Sequence, residues 1–326
     1  MRAVVLVGGE GTRLRPLTYT TPKQMLPVGR RPMIERVVEQ LAAGGVDEAV
    51  LSLGYRPHAF IEAYPDGRCA GVTLAYAVEP EPLDTAGAVA FAAHSARIDS
   101  TFVVHNGDVL TGLDLGALVG LHRRSGAQAT ISLTPVEDPS RFGVVPTDGT
   151  GRVLAFIEKP PAGESPTNLI NAGTYVLEPS VLERIPAGRR VSIERETFPA
   201  LAADGSLYAM ASDAAWVDAG TPGTYLAANL ALAAPPDGSC RVAGGAFVEG
   251  SVLGSGVSVG EGATVEGSVL FDGVEVGAGA TVSSSVIGRG ARVGAGAMVT
   301  GLSLIGDGSS VPAGAHLQGD RVPVAT

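Results

Sequence analysis

The run Ala3-Val4-Val5-Leu6-Val7-Gly8-Gly9-Glu10-Gly11-Thr12-Arg13-Leu14-Arg15-Pro16-Leu17 starts as a buried strand and empties at once into glycines. Pro22-Lys23-Gln24-Met25-Leu26-Pro27 follows it. Short, apolar, β-branched runs of this kind are the strands of sheets covered on both faces. Glycines at the end of such a strand let backbone N–H groups approach an anion without a Cβ in the way. Arg13 and Lys23 bring two positive charges to the same mouth, which suits the phosphates of a nucleoside triphosphate. A lone G-x-G is more often a tight turn. The spacing is neither a Walker loop, which needs Gly-Lys-Ser/Thr, nor the G-x-G-x-x-G dinucleotide pattern.

Outward from this stretch, helical and strand-like segments alternate. Apolar residues at 33, 34, 37, 38 and 41 predict a helix over Pro32 to Ala43, with Pro32 suited to a first turn. Ala49–Leu53, Val72–Val78 and Phe102–His105 read as further buried strands, with a helix near Thr85 to His94. The pattern predicts a Rossmann-like, mostly parallel α/β sheet over residues 1–234. Ligands of such sheets bind beyond the carboxyl ends of the strands, where Gly8 to Arg13 and Asn106-Gly107-Asp108 fall.

Pro235-Pro236-Asp237-Gly238-Ser239 is a breaker cluster, and the chain changes character beyond it. Aliphatic or aromatic residues recur at Phe247, Leu253, Val259, Val265, Val276 and Val282. From Ile287 they recur every six residues, at Val293, Val299, Ile305, Val311 and Leu317. A six-residue period fits neither a helix nor a hairpin meander. It is the hexapeptide repeat of a left-handed parallel β-helix, here over residues 235–326 with about four coils. The exposed ends and edges of such a domain predict a homo-oligomer. Acetyltransferases built on such repeats use a histidine between subunits; His316 is the domain's only one, without an evident acidic partner, so a structural or oligomerising role is expected.

Composition narrows the remainder. The 326 residues are 45% hydrophobic, with no unbroken apolar stretch of membrane-spanning length and no charged-then-apolar leader, so a cytoplasmic location and no membrane partner are expected. A net charge of −10 argues against a nucleic-acid partner while leaving room for a nucleotide met by local positive charge. Cys69 and Cys240 show no metal-type spacing, and the histidines are scattered.

The motif G-G-x-G-T-R-L-x-P-L-T followed by P-K-x-M-L-P resembles, nearly residue for residue, the N-terminal signature of sugar-1-phosphate nucleotidyltransferases. The resemblance implies attack of a sugar-1-phosphate oxygen on the α-phosphorus of a nucleoside triphosphate, with release of pyrophosphate and with Mg²⁺ bridging phosphate oxygens. It implies that Leu6, Gly8, Gly9, Gly11, Thr12 and Gln24 line the nucleotide. Arg13 would stabilise charge on the leaving pyrophosphate, and Lys23 would lie near the transferring or the sugar phosphate. Asp108 and Asp218 occupy the motif positions of the family's metal aspartates, although alone each would read as a cap or turn residue. Glu158-Lys159-Pro160 resembles the family's E-K-P motif, whose Glu accepts sugar hydroxyls and whose Lys meets the sugar phosphate. Asn171-Ala172-Gly173 resembles its N-A-G motif along the sugar ring, with Gly143 opening room and Glu194 on the same side.

Within the family the text is most similar to mannose-1-phosphate guanylyltransferases. That similarity rests on Leu6-Val7-Gly8-Gly9, Glu81-Pro82-Leu83, Thr85-Ala86-Gly87, Asn171 to Tyr175 and Val191 to Pro199, and it implies GTP and mannose 1-phosphate as substrates. Glu79 stands where thymidylyltransferases carry a base-facing glutamine, and a carboxylate there accepts the adjacent N–H donors of guanine. Two positions depart. Gln24 replaces a usual proline and is common in enzymes making dTDP-glucose, and Asp84 replaces the glycine of the G-T-A-G motif ahead of Thr85. A glucose-1-phosphate thymidylyl-, uridylyl- or adenylyltransferase is therefore the alternative enzyme. A non-catalytic regulatory homologue would have lost the charged residues that this chain retains.

Overall fold

The structure, a computed structural model, describes residues 1–323. The chain divides into two compact units, Met1–Gly9 with Ile34–Trp216 and Glu10–Met33 with Val217–Thr326.

The first unit is built on one large sheet. Strand β1 (Arg2–Leu6) pairs in parallel with β2 (Glu48–Leu53), and β2 with β3 (Val72–Val78). On its other side β1 pairs in parallel with β4 (Phe102–Asn106). Helices α1 (Met33–Ala43) and α2 (Asp84–Ser95) lie between these strands in the chain. Ala3, Val4 and Val5 are wholly buried, as a strand with neighbours on both edges and cover on both faces requires.

Beyond β4 the sheet turns mixed. Strand β5 (Ala129–Pro135) and β4 both pair antiparallel with β6 (Leu169–Leu177), which lies between them; β7 (Leu207–Ala211) then pairs in parallel with β5. The mostly parallel α/β sheet expected from the sequence is thus present, with β6 set into it as an antiparallel strand. The physical reason lies in the connection. Between Pro135 and Leu169 the chain forms only a short 3₁₀ turn and two-residue strands, with no helix to carry a parallel crossover, so the next strand returns antiparallel.

The second unit holds three 3₁₀ turns (Thr12–Leu14, Leu17–Tyr19 and Lys23–Met25), the hairpin Pro27–Val28 with Arg31–Pro32, helix α3 (Pro222–Leu230) and a parallel β-helix. Three sheets of five two- or three-residue strands form the β-helix, which is one coil more than the aliphatic run suggests. The first coil opens at Arg241, where Val242, in register with the buried Val259, is exposed at the end of the stack. Phe247, read from sequence as an inward position, pairs with Thr264 in an outward row and is half exposed; Val248 is the residue in register with the buried Val265.

Two patterns stabilise the stack. Corner serines repeat every 17 residues: the Ser268 N–H donates to Ser251 Oγ (3.1 Å) and the Ser285 N–H to Ser268 Oγ (3.2 Å). Each hydroxyl thus satisfies a backbone group that the corner would otherwise strand away from water. The outward row Val252, Val269, Val286 and Leu304 is buried as well, because α3 packs on this face of the β-helix. Arg321 is the fifth member of that row.

Candidate active site

Each unit positions its own share of the motif residues. In the second unit the signature loop runs from Glu10 through the turn Thr12–Leu14, and Gly11 has a left-handed φ of +63°. The Thr18 hydroxyl donates to the Gly11 carbonyl (3.0 Å), folding the loop back on itself. Lys23 starts the 3₁₀ turn Lys23–Met25 and is only 5% exposed. The hairpin that follows is held by α3: Asn229 Oδ1 accepts from the Gly29 N–H (2.9 Å), and the Tyr225 hydroxyl donates to the Pro27 carbonyl.

Three charged groups converge at Gly220. The position a Cβ would take there lies 2.6 Å from Asp218 Oδ1, 2.7 Å from Arg13 Nη2 and 3.0 Å from Lys23 Nζ. The chain turns at this point into α3, whose amino terminus is closed by a capping box between Thr221 and Thr224. A buried lysine needs a carboxylate nearby, and Asp218 is that group. Sequence reading passed over Gly220; its only local signal is a small residue two places after the aspartate. Gln24 is buried beside Lys23 in the chain, and its Oε1 has no hydrogen-bond partner among the described residues.

The first unit assembles the remaining residues in pairs. Asp108 follows β4 in a turn whose Gly107 N–H donates to the Leu6 carbonyl (2.9 Å), so Leu6 and Asp108 belong to one sheet edge. Glu79, after β3, accepts from the Ser52 hydroxyl through Oε1 (3.0 Å) and from the Leu83 N–H through Oε2 (3.1 Å). Its Oε1 lies 3.3 Å from where a Cβ on Gly8 would stand, so the carboxylate is fixed against the glycine loop's first residue. Asp84 has a φ of +62°, the left-handed conformation that glycine adopts freely. An aspartate is tolerated because its Oδ1 accepts the following Thr85 N–H (2.8 Å). The departure at this position therefore keeps a backbone suited to glycine.

Thr85 and Glu194 meet directly: the Thr85 hydroxyl donates to Glu194 Oε2 (2.7 Å), which also accepts from the Ser192 hydroxyl (2.9 Å). In the E-K-P motif the Lys159 ammonium pairs with the Glu158 carboxylate (3.1 Å). Gly143 lies opposite Glu158 in the pairing of short strands, and the ring of Phe156 would be 2.5 Å from a Cβ there. Asn171 Oδ1 accepts the Gly173 N–H (3.0 Å) and its Nδ2 donates to the Tyr175 hydroxyl (2.9 Å). Burial, with the charge of Glu194 second, holds the Tyr175 phenol above its usual range, so it remains protonated. Trp216 Nε1 donates to the Ala172 carbonyl (2.9 Å), fixing the N-A-G turn from outside its motif. Neither Ser52 nor Trp216 carries a local sequence signal for these tasks.

His105 on β4 is wholly buried, and its Nδ1 lies 2.8 Å from the Asn106 carbonyl. Burial pushes the imidazole down to about 4. The unfolded chain would take up a proton near 6.5 while the folded one would not, so this contribution is complete above pH 6.5 and is lost as pH falls toward 4. The loss amounts to on the order of 3 kcal/mol. An NMR titration of the imidazole is expected to place its midpoint near 4, and a midpoint near 6.5 would contradict the buried, neutral assignment.

Within the first unit a glycine pair follows the first parallel strand and Glu79 and Asp108 stand at strand ends; within the second, two cations and an aspartate meet at Gly220. Comparison with known proteins gives the class. The nucleotidyl transferase family matches residues 2–234, and the GMPPB C-terminal domain matches residues 237–324. The chain belongs to the nucleotidyl transferase family and is a nucleotidyltransferase. It is 42% identical to a mannose-1-phosphate guanylyltransferase of Mycobacterium tuberculosis, over 79% of this chain and 76% of that protein. A mannose-1-phosphate guanyltransferase of Yarrowia lipolytica is 45% identical over 69% of this chain, which spans 62% of the yeast protein. Among solved structures, HddC from Yersinia pseudotuberculosis complexed with GMP-PN is 29% identical with a TM-score of 0.59, covering 70% of this chain and 97% of that one. No helix among the described residues is long and apolar enough to cross a membrane.

Proposed function

We propose that this chain transfers a guanylyl group from GTP to mannose 1-phosphate, giving GDP-mannose and pyrophosphate. The observation that carries the reading is the convergence of Arg13, Lys23 and Asp218 around Gly220, in a chain whose relatives over most of its length are named for this reaction. The phosphate oxygen of the sugar attacks the α-phosphorus, and the bond to the β,γ-pyrophosphate breaks in line, with no covalent enzyme intermediate. The backbone of Gly8, Gly9, Gly11 and Thr12 would hold the triphosphate, and Arg13 the charge that builds on pyrophosphate. Lys23 would hold the α-phosphate. Gln24 Oε1, a buried acceptor without a donor, suits a nucleotide N–H.

On the acceptor side, Glu158 would accept sugar hydroxyls while Lys159 leaves its ion pair for the sugar phosphate. Asn171, Gly173, Gly143 and Glu194 would bound the ring. Glu79, already anchored by Ser52 and the Leu83 N–H, keeps one lone pair on each oxygen for the guanine N1–H and N2–H.

Enzymes of this family use a divalent metal, and magnesium fits the residues present. Among the described residues no three His, Cys, Asp or Glu side chains gather as a closed cage, while Asp108 and Asp218 offer hard carboxylate oxygens. Magnesium is bound by one or two carboxylates together with substrate phosphates and waters, and when bound it neutralises phosphate charge. The proposed division of labour gives nucleotidyl transfer to residues 1–234 and the β-helix, with self-association, to residues 235–326.

The test is pyrophosphate release with Mg²⁺, crossing GTP, dTTP, UTP and ATP with mannose 1-phosphate and glucose 1-phosphate. Turnover mainly with GTP and mannose 1-phosphate is expected. Preference for dTTP and glucose 1-phosphate would overturn the guanylyl reading in favour of the enzyme class that shares Gln24.

A further inference from the structure

The buried outward row of the β-helix, Val252, Val269, Val286 and Leu304, ends on a charged residue. Pattern alone would place another aliphatic side chain at 321. Instead Arg321 Nη1 donates to the Arg13 carbonyl (2.9 Å) and to the Arg15 carbonyl. These two carbonyls bracket the end of the 3₁₀ turn Thr12–Leu14, from which the Arg13 side chain reaches Gly220. A second tie lies nearby in the chain: the Thr20 hydroxyl donates to Asp307 Oδ2 (2.6 Å) on the corner after Ile305-Gly306. Two coils of the β-helix thus grip two points of the segment Arg13 to Thr20.

We propose that Arg321 is a positioning residue for nucleotidyl transfer: it fixes the signature-loop backbone so that the Arg13 guanidinium is presented to the triphosphate. The β-helix then takes part in catalysis through the loop it holds. Both bonds come from the one nitrogen Nη1, whose two N–H groups reach the two carbonyls at once, and the planar guanidinium fixes the angle between them. The inference rests on Arg13 acting on the nucleotide, as proposed above.

The deciding experiment is a double-mutant cycle in the full chain with Arg321→Val and Arg13→Ala. Valine is what Val252, Val269 and Val286 carry at equivalent places, so the coil has a side chain it already accommodates. Arg321→Val is expected to lower kcat/KM for the nucleotide about tenfold, with KM for the sugar phosphate unchanged and Tm nearly so. In the Arg13→Ala background the same change is expected to cost little, since the group it positions is gone. An equal loss in both backgrounds, or no loss in either, would overturn the proposal. If Arg13→Ala alone leaves the nucleotide kcat/KM intact, the assignment of the loop fails instead. Should Arg321→Val not fold, Arg321→Lys supplies the same cycle, with a smaller expected loss that still vanishes without Arg13.

Discussion

Lys23→Met is expected to lower turnover about 10³-fold, equivalent to about 4 kcal/mol of transition-state stabilisation, while the protein remains folded. Lys23 is 5% exposed, so its ammonium is shielded from water, where its field on a phosphate is far stronger than at a surface. Methionine keeps the unbranched, apolar stem and removes only the charge. The measurement is steady-state kcat and kcat/KM for GTP, alongside a thermal melt. A fall in Tm that accompanies full retention of kcat would mean the buried charge serves the fold and leaves the chemistry to other groups.

The second large effect is expected from Gly220→Val, at about 10²-fold in kcat/KM with little change in stability. A Cβ at this position would stand within 3.0 Å of Asp218 Oδ1, Arg13 Nη2 and Lys23 Nζ. All three are the far ends of side chains, so they move aside at small cost to the fold. Displacement by an ångström is nevertheless enough to take a reacting geometry out of range, which is why activity and stability should separate here. Gly220→Ala, tested alongside, should fall between wild type and valine. A large drop in Tm with normal specific activity in the folded fraction would sink the idea that the crowding is confined to the charged groups.

Local sequence made much of this legible. The strand β1 could be read because its apolar run has no polar interruption, and the helix at Met33–Ala43 because its apolar residues keep a helical period. The β-helix followed from six-residue spacing, since only an inward side chain at each face needs to be aliphatic. Phe247 and Leu253 made part of its first coil legible, but the opening strand Arg241–Val242 was not, because it has no buried partner on one side and so no requirement for that spacing. The antiparallel place of β6 within the mostly parallel sheet was not legible: strand direction depends on the path of the connection between Pro135 and Leu169, and periodicity is blind to it. Asp84 looked like a break in a glycine motif, yet its side chain caps the next residue and keeps the left-handed turn.

The sequence by itself determined the family, the two architectures and the residue types that chemistry on a nucleoside triphosphate requires. Each of these is written in contiguous motifs or fixed periods, because backbone conformation and strand burial are local demands. Tertiary structure alone decided which groups hold those motifs in place. Ser52 anchors Glu79, Ser192 shares Glu194 with Thr85, and Trp216 fixes the Ala172 carbonyl. Arg321 reaches Arg13 across a separation of 308 residues. A hydrogen bond or a shared point such as Gly220 depends on where atoms lie within about 3 Å of one another, and no spacing along a chain encodes that distance.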